Sequence, residues 1–307
     1  MTDLVIGVDV GGTTVKAALL DSDGREYGRS ERPTPRYVDP DAVVATIIDA
    51  VVEMQKHIPE AGRLRAIGLV VPGVVDAQHG IAVYAANLGW RDLPIRQMVA
   101  EAVGLPVILD HDVRAAGLAE LELGAGRGAR EMLFVALGTG IAAAVITRGQ
   151  LATGATGMAG ELGHLPVFPD GEWCACGQRG CTETYASGAA LARRYSAISG
   201  IGGVPASAVI SRASAGDNLA QRIFSDAVTA LGRALVNYVL IMDPEMIIIG
   251  GGLADSGAAL LDPLTREVQG GLAWRSAPTI SGGRFGADAG RRGAALLAWR
   301  MLNEAAA

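Results

Sequence analysis

The stretch Asp9-Val10-Gly11-Gly12-Thr13-Thr14-Val15-Lys16 decides how this chain is read. A short β-branched apolar run, residues 4–10, leads into it, and a second apolar run, residues 15–20, leaves it. The pair predicts a β-hairpin. Its turn carries two glycines and two hydroxyls, so backbone N–H groups with Thr13 and Thr14 can come close to a phosphate, and Lys16 adds a positive charge nearby. A plain glycine hairpin turn accounts for the same residues, because the GxxxxGK[ST] spacing and a following helix are both missing. The design recurs further on. Residues 131–137 form an apolar run ending at Gly138-Thr139-Gly140, and residues 141–146 form another. Two such turns suit the β- and γ-phosphates of one nucleotide. A third apolar run, residues 246–249, leads to Gly250-Gly251-Gly252, where the backbone can approach a flat ligand such as adenine and its ribose.

Between these strands lie segments of helical periodicity: residues 41–58, 94–103, 114–123, 186–199, 218–241, 256–268 and 289–303. The helix of residues 41–58 is amphipathic and suits the cover of a sheet. The strand 66–71 stops at Pro72-Gly73, which sets backbone amides at its end. Asn87-Leu88-Gly89-Trp90 lies in a polar loop, where Asn87 and the Trp90 ring suit a sugar and where Trp90 suits a core equally well. The strand 107–109 runs into Asp110-His111-Asp112, and polar groups at the carboxyl end of a buried strand commonly form a site. Asp112 also sits at the start of a helix, where a carboxylate is stabilised by the dipole, so the local sequence favours a helix cap over a catalytic base.

All three cysteines fall within residues 161–183, ELGHLPVFPDGEWCACGQRGCTE. His164, Cys174, Cys176 and Cys181 offer one imidazole and three thiolates, a set that suits tetrahedral zinc. Four protein ligands leave no open position, so the zinc expected here is structural. Three unrelated reduced thiols and a surface histidine are the alternative, which the clustering of every cysteine within eight positions disfavours, and a disulfide would leave one thiol over. Glu161 and Glu183 flank the segment.

With 307 residues, half of them apolar, the chain can fill two domains. No charged and apolar leader opens it, and no apolar run reaches the ~20 residues that span a bilayer. A membrane partner is not expected, and cysteines grouped for a metal fit a cytoplasmic protein. The net charge of −6 excludes a general attraction to nucleic acid phosphates.

The order of these motifs resembles the ROK family of sugar kinases over essentially the whole chain. DVGGTTVK at 9–16, VVPGVV at 70–75, NLGW at 87–90, HDVRAA at 111–116, LGTGI at 137–141, ELGH at 161–164, CACGQRGCTE at 174–183 and IIIGGGL at 247–253 carry the resemblance. It implies a two-domain α/β protein of the actin-like, ribonuclease-H-like ATPase fold, with an interdomain cleft for sugar and ATP and a small zinc knot. The domains would be residues 1–115 with 290–307, and residues 116–289. The resemblance makes Asp112 the general base and thereby reverses the local preference for a cap. It assigns hydrated Mg²⁺ to Asp9, and the phosphates to Gly11, Gly12, Thr13, Thr14, Lys16, Gly138, Thr139 and Gly140. Gly250, Gly251 and Gly252 would border the adenosine. Gly73, Asn87, His111, Asp112, Glu161, His164 and Glu183 would contact the sugar. One nitrogen of His164 would then ligate zinc while the other faces sugar.

The implied reaction is transfer of the γ-phosphoryl group of ATP to a hexose hydroxyl, glucose first, by a homodimer. N-acetylhexosamine, mannose and fructose are alternatives, as are polyphosphate as donor and a non-catalytic sugar sensor. His111-Asp112-Val113-Arg114 stands where the family reads Asn-Asp-x-Asn, which bears on hydroxyl selectivity. A sugar-responsive repressor of this fold would need a DNA-binding domain ahead of the first turn, and none is expected.

Overall fold

The computed structural model describes residues 1–35 and 40–306, which form two compact units. One comprises Met1–Ala119, Thr153–Met158 and Asp288–Ala307; the other comprises Glu120–Ala152 and Ala159–Ala287.

The first unit is built on the predicted hairpin. Strands β1 (Thr2–Val10) and β2 (Thr14–Leu20) pair antiparallel, and β3 (Glu26–Pro33) extends them. After helix α1 (Pro40–Gln55), strand β4 (Gly62–Val71) joins β1 in parallel. A separate three-stranded sheet follows, made of β5 (Val74–Asp76), β6 (Ile81–Ala85) and β7 (Trp90–Leu93). Helix α2 (Ile95–Val103) then leads to β8 (Val107–His111), which completes the main sheet in the order β3-β2-β1-β4-β8 and runs into helix α3 (Asp112–Leu123).

Strand alternation settles which side chains face which helices. Leu4, Ile6, Val8 and Val10 of β1 pack with Val43, Ile47, Val51 and Met54 of α1. On the other face Val5, Ala18, Leu20 and Ala66 meet Ala295 and Ala298 of the chain's last helix, Ala289–Ala306. That helix lies on the strands themselves. A Cβ on Gly7 would come within 2.1 Å of the Arg291 carbonyl oxygen, and one on Gly68 within 1.7 Å of that of Ala294.

The second unit repeats the strand plan. Strands β9 (Met132–Leu137), β10 (Ile141–Thr147) and β11 (Gln150–Ala152) are antiparallel neighbours. The long loop carrying the cysteines ends in the short helix α4 (Glu183–Ala186), followed by α5 (Gly188–Ser199), α6 (Ala206–Ser214) and α7 (Asn218–Met242). Strand β12 (Met246–Gly250) then lies parallel to β9. Helix α8 (Ala258–Gly270) leads to β13 (Thr279–Gly282), parallel to β12, and the closing helix is α9. The order β11-β10-β9-β12-β13 matches that of the first sheet strand for strand. Helix α7 is long and apolar enough to cross a bilayer by length and composition, with mean hydropathy 1.2 over its best window. Half of that window is buried, and Ile223, Ala227, Leu231 and Leu235 fill the core instead.

The main strands and helices lie within a few residues of the spans predicted from sequence. Strand β3, the three-stranded sheet, β11 and α6 are not among those spans, because their short or polar segments carry weak periodicity. Trp90 is 1% exposed and packs in the first unit's core, which settles its open choice against a sugar platform.

Gly68→Ala should lower Tm by at least about 5 °C, because overpacking of this kind costs about 2–3 kcal/mol. Gly202→Ala, with open space around the added methyl, should leave Tm within about 1 °C of the parent in the same calorimetric scan.

Candidate active site

In the first unit the β1–β2 turn is tight. The Gly11 N–H donates to the Thr14 carbonyl at 2.9 Å, and Thr34 braces the turn through its hydroxyl to the Gly11 carbonyl (2.7 Å) and its N–H to that of Thr13 (2.9 Å). Thr34 is 6% exposed, whereas Thr13 at the tip is exposed. Asn87, on the short 3₁₀ turn Ala86–Leu88, lies against Gly12, where a Cβ would touch its side chain at 3.5 Å. Gly73 has φ +92°, and a Cβ there would strike the Tyr84 carbonyl, so only glycine fits this turn after β4.

Asp9 stands opposite Lys16 in the hairpin ladder. The first turn of α9 makes room for its carboxylate, since a Cβ on Gly290 would come within 2.3 Å of Oδ2. Burial, then the charge of Asp112, push the Asp9 carboxyl up to about 7 against the pull of Lys16 and Arg291. Arg291 is fully buried, with Asp288 at 2.8 Å and Glu26 at 3.6 Å from its Nη2.

Asp112 is the first residue of α3. Its Oδ1 accepts the Val113 N–H at 2.7 Å, and among the described residues it accepts nothing from the amides of residues 114 and 115, as a helix cap would. The Val113 amide is shared with His111 Nδ1 at 3.2 Å, and that nitrogen lies 3.2 Å from the same carboxylate oxygen. The Asp112 side chain is recessed, with 27% exposed, and burial pushes its carboxyl up to about 7 although the Val113 N–H and Arg114 favour the charged form. A carboxylate of that basicity suits proton transfer at neutral pH.

Arg114, read as a departure from the family pattern, is 4% exposed. Its Nε donates to Asp110 Oδ1 at 2.7 Å and its Nη1 to the Gly157 carbonyl at 2.7 Å, so it ties the segment Thr153–Met158 to the end of β8. Asp110 also accepts the His111 N–H at 2.6 Å. The i,i+4 spacing of Asp110 and Arg114 was a legible signal for this pair, while Thr34 carried none.

In the second unit, Gly138 N–H donates to the Gly140 carbonyl at 3.0 Å, and Thr139 is exposed at the tip as Thr13 is in the first turn. Glu183 Oε2 accepts the Ile141 N–H at 2.7 Å. The glycines at the end of β12 bring the following loop beside this turn: Gly251, at φ +80°, would put a Cβ within 2.5 Å of the Leu137 carbonyl, and one on Gly250, the last residue of β12, would strike the Phe134 ring. Gly138 and Gly252 each have open space where a Cβ would stand.

His164, Cys174, Cys176 and Cys181 place their ligand atoms within 4.8 Å of one another. Cys176 Sγ and Cys181 Sγ are 3.7 Å apart, as are Cys174 Sγ and His164 Nδ1. These match the edges of a tetrahedron about an ion with metal–sulfur bonds of about 2.3 Å. Burial first, then hydrogen bonds that the Cys181 thiol donates to the neighbouring sulfurs, push Cys181 up to about 12. Three thiols packed this closely need a cation before all can ionise, so the donor set fits zinc. The other ring nitrogen of His164, Nε2, faces Glu161 Oε2 at 3.9 Å.

A recessed carboxylate and glycine turns tipped by threonine hydroxyls are parts suited to phosphoryl transfer, and comparison with known proteins gives the class. The chain is 36% identical to a glucokinase of Halalkalibacterium halodurans over 281 residues, 86% of this chain and 84% of that one. It is 31% identical to an N-acetylmannosamine kinase of Escherichia coli over 296 residues, 95% of this chain and 97% of that one. It also superposes with TM-score 0.83 on the crystal structure of a Streptomyces griseus ROK family glucokinase in complex with glucose and AMPPNP, at 32% identity, covering 97% of this chain and 99% of the other. The protein is a sugar kinase. It belongs to the ROK family, whose model matches residues 5–301.

Both raised carboxyls make the folded state hold protons that the unfolded chain, with aspartate near 3.8, releases. Their contribution to stability is therefore lost as pH rises from about 4 to about 7. Asp112→Asn, in Mg²⁺-free buffer, should raise Tm at pH 8 by a few degrees, with the gain vanishing near pH 4 in parallel melts. Elemental analysis should find about one zinc per chain, and Cys176→Ala should lose it and melt at least about 5 °C lower.

Proposed function

We propose that this kinase transfers the γ-phosphoryl group of ATP to a hexose hydroxyl, with glucose the sugar and glucose 6-phosphate the product. Asp112 is the general base. The observation that carries this reading is the Asp112 carboxyl itself, recessed, raised to about 7 and not engaged in capping the helix it begins. It takes the proton of the attacking hydroxyl as the oxygen closes on phosphorus, with His111 beside it to orient the hydroxyls. Asp9, kept partly charged by Lys16 and Arg291, would hold the hydrated Mg²⁺ that spreads charge on the phosphates. The turns at Gly11-Gly12-Thr13-Thr14 and Gly138-Thr139-Gly140 donate amides and hydroxyls to those phosphates, and Gly250, Gly251 and Gly252 border the adenosine. Gly73, Asn87, Glu161, His164 and Glu183 contact the sugar.

Glucose is favoured over N-acetylmannosamine because the identity to the glucokinase, 36%, exceeds that to the N-acetylmannosamine kinase, 31%. The matching strand orders of the two sheets support the actin-like, ribonuclease-H-like plan. We read zinc at the Cys/His group as structural, the active form as a homodimer and the compartment as the cytoplasm, where ATP and reduced thiols occur together.

Asp112→Asn should cut kcat by about 10³-fold or more while the glucose Kd from calorimetry changes less than about threefold. In the parent, kcat/KM should fall about tenfold per pH unit below about 7, since the base must be unprotonated. Turnover retained by the variant would remove Asp112 from the mechanism. A panel of glucose, N-acetylmannosamine, mannose and fructose, each with ATP and with polyphosphate, tests substrate and donor: highest kcat/KM on another sugar would overturn glucose.

A further inference from the structure

Glu183 joins two parts of the second unit, the Cys/His group and the β9–β10 turn, where its partner Ile141 lies 42 positions earlier in sequence. On the turn side its Oε2 accepts the Ile141 N–H at 2.7 Å. The fit is close, since a Cβ on Gly140 would come within 2.6 Å of the same oxygen. A second bond holds the other end of the turn, from the Gly188 N–H to the Gly138 carbonyl at 2.8 Å. On the cysteine side, Thr182 donates its N–H and its hydroxyl to the Leu165 carbonyl at 3.0 and 3.1 Å, and Cys181 bridges to Pro166. Leu165 and Pro166 follow His164 directly. Gly163 also abuts the Ile141 carbonyl, where a Cβ would come within 2.2 Å.

We infer that Glu183 is a positioning residue for the nucleotide phosphates. By pinning the Ile141 amide it sets the shape of the Gly138-Thr139-Gly140 turn, and through Thr182 and Cys181 it makes that shape depend on the Cys/His group. The inference rests on the proposed phosphate site at this turn and gives the carboxylate a task separate from its sugar contact. Amides aimed at an anion work only if their directions are fixed before the ligand arrives. A charge-assisted hydrogen bond to a carboxylate fixes an amide more firmly than one to a neutral oxygen. With Ile141 committed to Glu183, the tip of the turn, where Thr139 is exposed and Gly138 has open space, is left for the ligand.

The test is the affinity for Mg²⁺–AMPPNP without sugar, measured with amide hydrogen exchange at residues 138–141 in the parent, Glu183→Gln and Glu183→Ala. The alanine variant should bind AMPPNP about tenfold more weakly and exchange Ile141 much faster. The glutamine variant keeps an acceptor oxygen, so its affinity should fall less than about threefold, with intermediate exchange. Unchanged exchange at Ile141 in the alanine variant would overturn the pin alone. Faster exchange with unchanged AMPPNP affinity would overturn the phosphate reading of the turn and the inference with it. Should the alanine variant fail to fold, the glutamine variant decides, and Ile141 exchange equal to the parent's overturns the proposal.

Discussion

Backbone laid directly on backbone is the constraint from which the first unit is built. At Gly68 and Gly7, strands β4 and β1 come so close to the Ala294 and Arg291 carbonyls that no side chain fits between them. Helix α9 can therefore settle onto the sheet along a stripe of small residues, and Gly293 repeats the device against the Ala115 carbonyl. The approach brings the start of α9 to Asp9, where Gly290 leaves space for the carboxylate and Arg291 contributes positive charge. A bulkier stripe would push the helix away and expose Asp9 to water, returning its carboxyl towards the ordinary range.

The electrostatics of the site follow from that packing. Asp9 and Asp112 are both recessed, and the charge of Asp112 works against that of Asp9, which is unfavourable for stability and useful for chemistry. A folded protein retains such a pair only where the surroundings hold it in place. Here the Asp110–Arg114 ion pair, the Gly157 carbonyl and the Val113 amide do so. Arg114, which stands where the resembling family reads asparagine, is thus explained by a buried ion pair at the end of β8.

In the second unit the same logic of close approach governs glycine usage. Gly250 and Gly251 pack against Phe134 and Leu137, whereas Gly252 opens onto space, so one three-glycine run both packs and leaves room. The Cys/His group is bound into this arrangement by neighbouring backbone, because Cys181 bridges to Pro166, two residues beyond His164, and Glu183 reaches from there to Ile141.

Sequence alone determined what a few consecutive residues can encode. The hairpins around Gly11-Gly12 and Gly138-Thr139-Gly140, the helices of clear periodicity, the four donors at 164, 174, 176 and 181, and an aspartate between strand and helix were all legible. Each depends on local backbone freedom or on ligand spacing. The fate of Trp90 in the core, the bracing of the first turn by Thr34, the Arg114 bond to Gly157 and the reach of Glu183 to Ile141 were decided by tertiary structure. Asp112 shows the division in one residue: its place at a helix start is local, but its freedom from capping and its raised carboxyl come from burial and neighbouring charges. Desolvation and long-range hydrogen bonds are set by segments that only folding brings together, and no spacing along the chain records them.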